Sequence, residues 1–238
     1  MPLIRLGWLP VIYQAVRLNE REMNCGAFYS DIDWTRLDAI VEAFKDRLRW
    51  YYLDAADTLR KGDRQFDHVI IAIGCLLIDT LSQFHFGTPS GTRTRFMDFL
   101  ADYIPGLHAV LPNNIRHQND PAQGVKNVSR YSDALYRGFR CGVLHEANIF
   151  PYGALWSGAA MSDFELVGLS EYDGTGGVVG ACPTIRINAW LLCDSVRTAL
   201  DDYCNRILNP AVVHDLLRGN FKDKFKWSFG VDIAAAVL

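Results

Sequence analysis

The sequence predicts a mostly α-helical fold, and three observations carry that prediction. Apolar residues recur at spacings of three and four through most of the chain, which lines one face of each of several helices. Capping residues and Gly or Pro breaks fall where those periodic stretches begin and end. Only between about residues 150 and 187 does the pattern change, to many glycines and short strand-like runs such as Phe164-Glu165-Leu166-Val167 and Thr184-Ile185-Arg186-Ile187. Short connections favour an antiparallel bundle, so the expected architecture is four to five helices with a small β-hairpin or three-stranded insert before the last long helix.

The first helix is expected over residues 35–59, with Leu37, Ile40, Val41, Phe44, Leu48, Tyr51 and Ala55 on one face. Asp33 or Thr35 can cap its first amides. Gly62 and Asp63 break the chain, and the second helix, about 66–86, is apolar nearly all round and so is expected at the centre. Asp79 is the unexpected residue inside it. Gly87, Pro89 and Gly91 form a loop before a short helix marked by Phe96, Phe99, Leu100 and Tyr103 and ended by Pro105. Residues 105–125, rich in Pro, Asn and Gln, read as a surface connection. A further helix from about Asn127 carries Tyr131, Leu135, Phe139 and Val143 at intervals of four. Gly174, Gly176 and Gly177 read as a turn. Asn188 can cap the last long helix, with Leu192, Val196, Leu200, Tyr203 and Ile207 on one face. The tail, about 210–238, reads as a short helix, a basic-aromatic stretch and an apolar end.

Composition bounds the function classes. The chain has 238 residues, 50% hydrophobic, 12% aromatic and 21% charged, with a formal net charge of −3. That suits one globular domain over residues 1–238 and excludes disorder as the main state. The longest apolar run, residues 69–78, is shorter than the roughly 18 residues of a membrane span. Arg5, Pro10 and Arg17 interrupt the N-terminus against a secretory signal. A cytoplasmic protein with no membrane association is expected. The six cysteines (Cys25, Cys75, Cys141, Cys182, Cys193, Cys204) are scattered without a CxxC pair, so they read as small buried hydrophobes rather than zinc ligands or disulfides. The mild acidity argues against a general nucleic-acid coat protein and leaves room for a local basic site.

One constellation has chemical content: Arg140 and His145, with four residues between them, at the end of an amphipathic helix. The surrounding stretch YRGFRCGVLHEA, residues 136–147, resembles the signature of the HEPN superfamily, whose nuclease members carry Arg, four to six residues, then His. The resemblance extends more loosely, over about residues 35–208, to the order of elements and to the acidic residue Asp79 in the apolar helix. It implies a helical bundle, a metal-independent RNase without cofactor, and a homodimer in which both motifs line one cleft. An RNA substrate and an antitoxin or other regulatory partner, in toxin–antitoxin or phage-defence systems, follow from the same resemblance. Two positions depart from the pattern. Cys141 stands where catalytic relatives commonly carry a polar residue, and Ala147 stands where members silenced by nucleotide transfer carry a tyrosine.

The chemistry suits these residue types. RNA is cleaved when its 2′-OH attacks the adjacent phosphorus and the 5′-oxygen leaves protonated. His145, with an ordinary pKa near 6.5, can act as general base or acid. Arg140 offers planar, permanently charged donors to the phosphorane oxygens. On a straight α-helix positions five apart diverge by about 140°, so the two residues share a face only if the helix unwinds near Gly142, the Arg side chain reaches round, or a dimer brings opposite copies together. Arg137 lies closer to the His145 face and is a candidate for binding phosphate. Asp79, a buried carboxylate in need of a partner, is expected to orient Arg140 or His145, with Cys141 beside them. In the tail, Arg218, Lys222, Lys224 and Lys226 interleave with Phe221, Phe225 and Trp227, a mixture suited to single-stranded RNA, although a solvated amphipathic face is the commoner meaning of such a stretch. The alternative reading is a non-catalytic HEPN-like module that binds RNA, nucleotide or a partner protein.

Overall fold

The structure, a computed structural model, describes residues 32–61, 66–117, 126–146, 153–156, 164–172 and 178–238. Cys25, the break at Gly62 and Asp63, Ala147, and the glycines at 174, 176 and 177 lie outside the described residues.

Helix α1 (Leu37–Leu48) buries Leu37, Ile40, Val41, Phe44 and Leu48, the face that the spacing predicts. Arg36 stands at its N-cap with no side-chain cap, so neither Asp33 nor Thr35 caps its amides as expected. Asp33 Oδ1 accepts from the Thr35 amide and hydroxyl at 3.0 and 2.6 Å. The Leu37 amide donates to the Val237 carbonyl at 2.7 Å, and Arg36 and Val237 pair as a parallel bridge. The chain then widens into a π-helical turn, Arg49–Leu53, and resumes as α2, Asp54–Arg60. Bonding from i to i+5 places an extra residue in that turn. The buried face consequently moves: after Leu48 it continues at Leu53 and Ala56, while Tyr51, expected on the core face, is 39% exposed.

Helix α3 (Asp67–His85) supplies much of the core through Ile70, Ile71, Cys75, Leu77, Ile78, Leu81 and Phe84. It is long and apolar enough to cross a membrane, with mean hydropathy 1.4, yet 56% of that window is buried inside the fold. After it, Gly87 takes φ +61, and the Asn220 side-chain amide donates to the His85 carbonyl at 2.8 Å. Helix α4 (Arg93–Tyr103) starts where Thr92 accepts from the Arg95 amide, and buries Phe96, Phe99 and Leu100.

The segment expected to be a surface connection forms a hairpin instead. Strands β1 (Val110–His117) and β2 (Lys126–Arg130) pair antiparallel, so the next helix begins at Tyr131 rather than near Asn127. Two apolar side chains explain the difference: Leu111 and Val128 are buried and tie the ladder to the core. The helix after it runs as α5 (Tyr131–Ala134), a second π-helical segment (Leu135–Cys141) and α6 (Gly142–Glu146).

The expected β insert is a three-stranded sheet. Strands β3 (Gly153–Trp156) and β4 (Phe164–Tyr172) flank β5 (Val178–Asn188), β3 parallel to it and β4 antiparallel. Ile185 and Ile187 are both buried, which sets the inward face of β5. Its last residue caps α7 (Ala189–Leu208): Asn188 Oδ1 accepts from the Trp190 and Leu191 amides. Helices α3 and α7 pack closely, and a Cβ at Gly74 would stand 3.2 Å from Leu192 Cδ2. The tail's basic-aromatic stretch is one helix, α8 (Asp215–Phe229), not a short helix followed by a separate segment. The described chain is α-rich with two small β elements.

Candidate functional site

Arg140 sits near the end of the second π-helical segment and reaches α3. Its Nη2 donates to Asp79 Oδ2 at 2.9 Å, and the two side chains are 18% and 11% exposed. The guanidinium also lies over the Tyr136 ring, 5.4 Å from its centroid, and that ring meets Phe96 edge-on at 5.2 Å. Burial works against the charge on Arg140, and the bond and charge of Asp79 outweigh it, so its pKa rises. This is a cation fixed by a buried acid below and an aromatic ring at its side.

Asp79 has a matching surround. A Cβ at Gly91 would stand 2.1 Å from Asp79 Oδ1, so only a glycine lets the loop after α3 pass over the carboxylate. Among the described residues Oδ1 is buried without a hydrogen-bond partner. Cys75, one turn earlier on α3, is buried, and desolvation pushes its thiol far up while the nearby Arg140 pulls it down. Cys141 is a free, half-buried thiol immediately after Arg140.

His145 falls in α6, and its side chain lies outside what the structure describes. The path from position 140 to position 145 begins in π geometry, whose wider turns reduce the divergence of positions five apart. Arg137 turns to a different carboxylate. Its Nε donates to Asp133 Oδ1 at 2.8 Å, and Asp133, 4% exposed, also takes two bonds of 2.6 Å from Arg93.

Each of the tail cations has a partner within the chain. Arg218 bonds Asp215 and the carbonyls of Asn209 and Ala211. Lys222 Nζ donates to the carbonyls of Ala234 and Ala236 at 3.0 and 2.6 Å, and Lys226 pairs with Asp232 at 2.6 Å. Lys224 is only 4% exposed, and its Nζ donates to Gln83 Oε1 at 2.8 Å and the Pro89 carbonyl at 3.3 Å. Helical spacing announces that burial, since Phe221, Lys224 and Phe225 share one face of α8.

No protein-family model, curated protein or solved structure matches this chain. Its chemistry is therefore read from its own residues. Sequence reasoning passed over Tyr136, Gly91 and the Arg93–Asp133 pair. Tyr136 carries a usable signal, because positions four apart on a helix place a ring beside a cation. Gly91 and Asp133 carry none, since their roles arise only when distant segments meet. Taken together, the fixed guanidinium of Arg140 is suited to hold an oxyanion such as a phosphate ester, and the histidine five positions on supplies the residue type that moves protons near neutral pH.

Proposed function

We propose that this chain is a metal-independent RNA endonuclease of the HEPN type, acting in the cytoplasm as a single helical-bundle domain. The observation that carries the reading is the Arg140–Asp79 pair, which gives the Arg of the Arg-x4-His motif the fixed orientation that electrostatic catalysis requires. In this reading Arg140 binds the non-bridging oxygens of the scissile phosphate. His145 removes the 2′-OH proton or protonates the 5′-oxygen, Asp79 holds Arg140, and the products are a 2′,3′-cyclic phosphate and a 5′-hydroxyl. DNA, which has no 2′-OH, is inert. Two protomers pair so that the motif of each faces the other, and a regulatory protein restrains the activity in a toxin–antitoxin or phage-defence setting.

The burial of the same pair favours a second reading, a non-catalytic module of this type that binds RNA, nucleotide or a partner protein. Arg140 is largely enclosed and followed by Cys141, which fits a structural ion pair as well as a catalytic one. One experiment separates the two: RNA cleavage in EDTA by the wild type, His145→Ala and Arg140→Ala, with product ends analysed and oligomeric state measured by light scattering. Cyclic-phosphate ends from a dimeric wild type, reduced at least a hundredfold in both variants, support the nuclease. A folded wild type that leaves RNA intact supports the binding module.

A further inference from the structure

A cavity separate from the Arg140 pair opens between α1, the first π-helical turn, α3 and α8. It measures about 490 Å³, within the range of about 300–1,000 Å³ typical of small-molecule sites. Its walls combine tilted ring pairs with two cations. Phe44 and Phe84 lie 4.5 Å apart and Phe84 and Phe229 6.4 Å apart. The Arg47 guanidinium stands over Tyr51 at 4.9 Å and over Phe229 at 5.6 Å. Lys224 completes the lining from α8.

Lys224 is the observation that asks for a ligand. It is 4% exposed, yet the partners of its ammonium are neutral: Gln83 Oε1, the Pro89 carbonyl and the face of Trp227 at 4.1 Å. No described carboxylate pairs with it. A buried ammonium without a counter-charge is unfavourable in a folded protein. Burial accordingly pushes its pKa down, and the more distant Asp79 only partly restores it. A nearly enclosed cation that lines a ring-walled cavity is complementary to an anion carrying a flat apolar body, because the head group neutralises the charge and the body covers the rings.

We infer that this cavity is a binding site for a small aromatic anion, its phosphate or carboxylate head on Lys224 and its ring among Phe84, Tyr51 and Phe229, with Arg47 at the rim. The site does not depend on the reaction proposed for Arg140. It shares α3 with that pair, since Gln83 lies one turn after Asp79, and it shares the loop from Gly87 to Thr92, where Pro89 meets Lys224 and Gly91 meets Asp79.

Isothermal titration of the full chain tests the assignment with four probes: phenyl phosphate, benzoate, inorganic phosphate and benzyl alcohol. Phenyl phosphate or benzoate is expected to saturate one site at sub-millimolar concentration, and whichever binds more tightly identifies the head group. Inorganic phosphate and benzyl alcohol are each expected to bind at least tenfold more weakly. Lys224→Met, which keeps the length of the side chain and removes the charge, is expected to weaken the aromatic anion at least tenfold while melting no lower than the wild type. A lysine that merely secures the loop gives the opposite pattern, a lower melting temperature. Absence of saturable binding, equal affinity for inorganic phosphate, or unchanged affinity in Lys224→Met overturns the inference. Should Lys224→Met not fold, Arg47→Gln replaces it: a fivefold loss supports the site and unchanged affinity overturns it.

Discussion

Arg140 and Asp79 lie 61 positions apart in the chain and meet at 2.9 Å, joining the second π-helical segment to the central helix α3. Both side chains are largely withdrawn from water, so each charge relies on the other for the solvation that folding removes.

Removing one member of that pair takes a buried bond from the other. Asp79→Ala is expected to lower the unfolding free energy by about 2–4 kcal/mol, because Arg140 then loses the buried carboxylate that its Nη2 bonds. Arg140→Met added to Asp79→Ala is expected to recover at least half of the loss. Urea denaturation of the two single variants and the double variant measures the coupling, and strictly additive losses would contradict it.

Gly91 is tied to the same carboxylate. Gly91→Ala places a Cβ 2.1 Å from Asp79 Oδ1, so the loop or the carboxylate must move, at an expected cost of about 1–3 kcal/mol. In an Asp79→Ser background the clash shrinks and the alanine is expected to be nearly neutral. Melting temperatures of the four proteins decide it; an equal penalty in both backgrounds would show that the loop backbone, not Asp79, sets the requirement.

His85 predicts a pH dependence. Desolvation lowers its pKa, Asp102 at 3.5 Å opposes the shift, and Arg206 adds to it. Since the folded state resists protonation, the unfolded chain binds the extra proton first as pH falls. Stability from this group is therefore complete above the unfolded pKa, about 6.5, and is lost as pH drops from there toward the lower folded value. His85→Gln is expected to flatten the dependence of urea stability on pH between about 7 and 5 relative to wild type, and parallel curves would refute the assignment.

The thiols should react in an order set by burial. Desolvation raises Cys193 and Cys204 to about 12, and Cys75 higher still, so the thiolate that alkylation needs is nearly absent from them at neutral pH. Cys141 is half-buried and is expected to be modified by iodoacetamide well before these three. Peptide mapping by mass spectrometry over a time course reads the order directly, and early labelling of Cys75 would mean that the α3 region opens in the native state.

What could be read from sequence was local. Asn188 as a cap and the apolar face of α7 are each set by residues within a turn of one another. The hairpin of β1 and β2 escaped because Leu111 and Val128 are the side chains that dock it, in a segment dominated by Pro, Asn and Gln. Of the candidate site, the residue types at 79 and 140 were visible and their contact was one of two alternatives; only packing joined them. Lys224 read as one of four tail cations, for RNA or for a solvated face, although Phe221 and Phe225 place it on the inward face of α8.

The two π-helical turns carry one further meaning. Each holds a surplus residue within a helix that is otherwise α, and the surplus sets the rotational phase of everything beyond it. Straightening Leu135–Cys141 into α with every residue kept would turn the downstream stretch by about 100°, enough to swing Arg140 away from Asp79, whereas deleting one residue as the turn straightens would leave that phase nearly unchanged. Substitution can alter what stands at that position, but the type of turn alters where it points. The aim of Arg140 thus depends on the turn that its seven-residue segment adopts as much as on the composition of that segment.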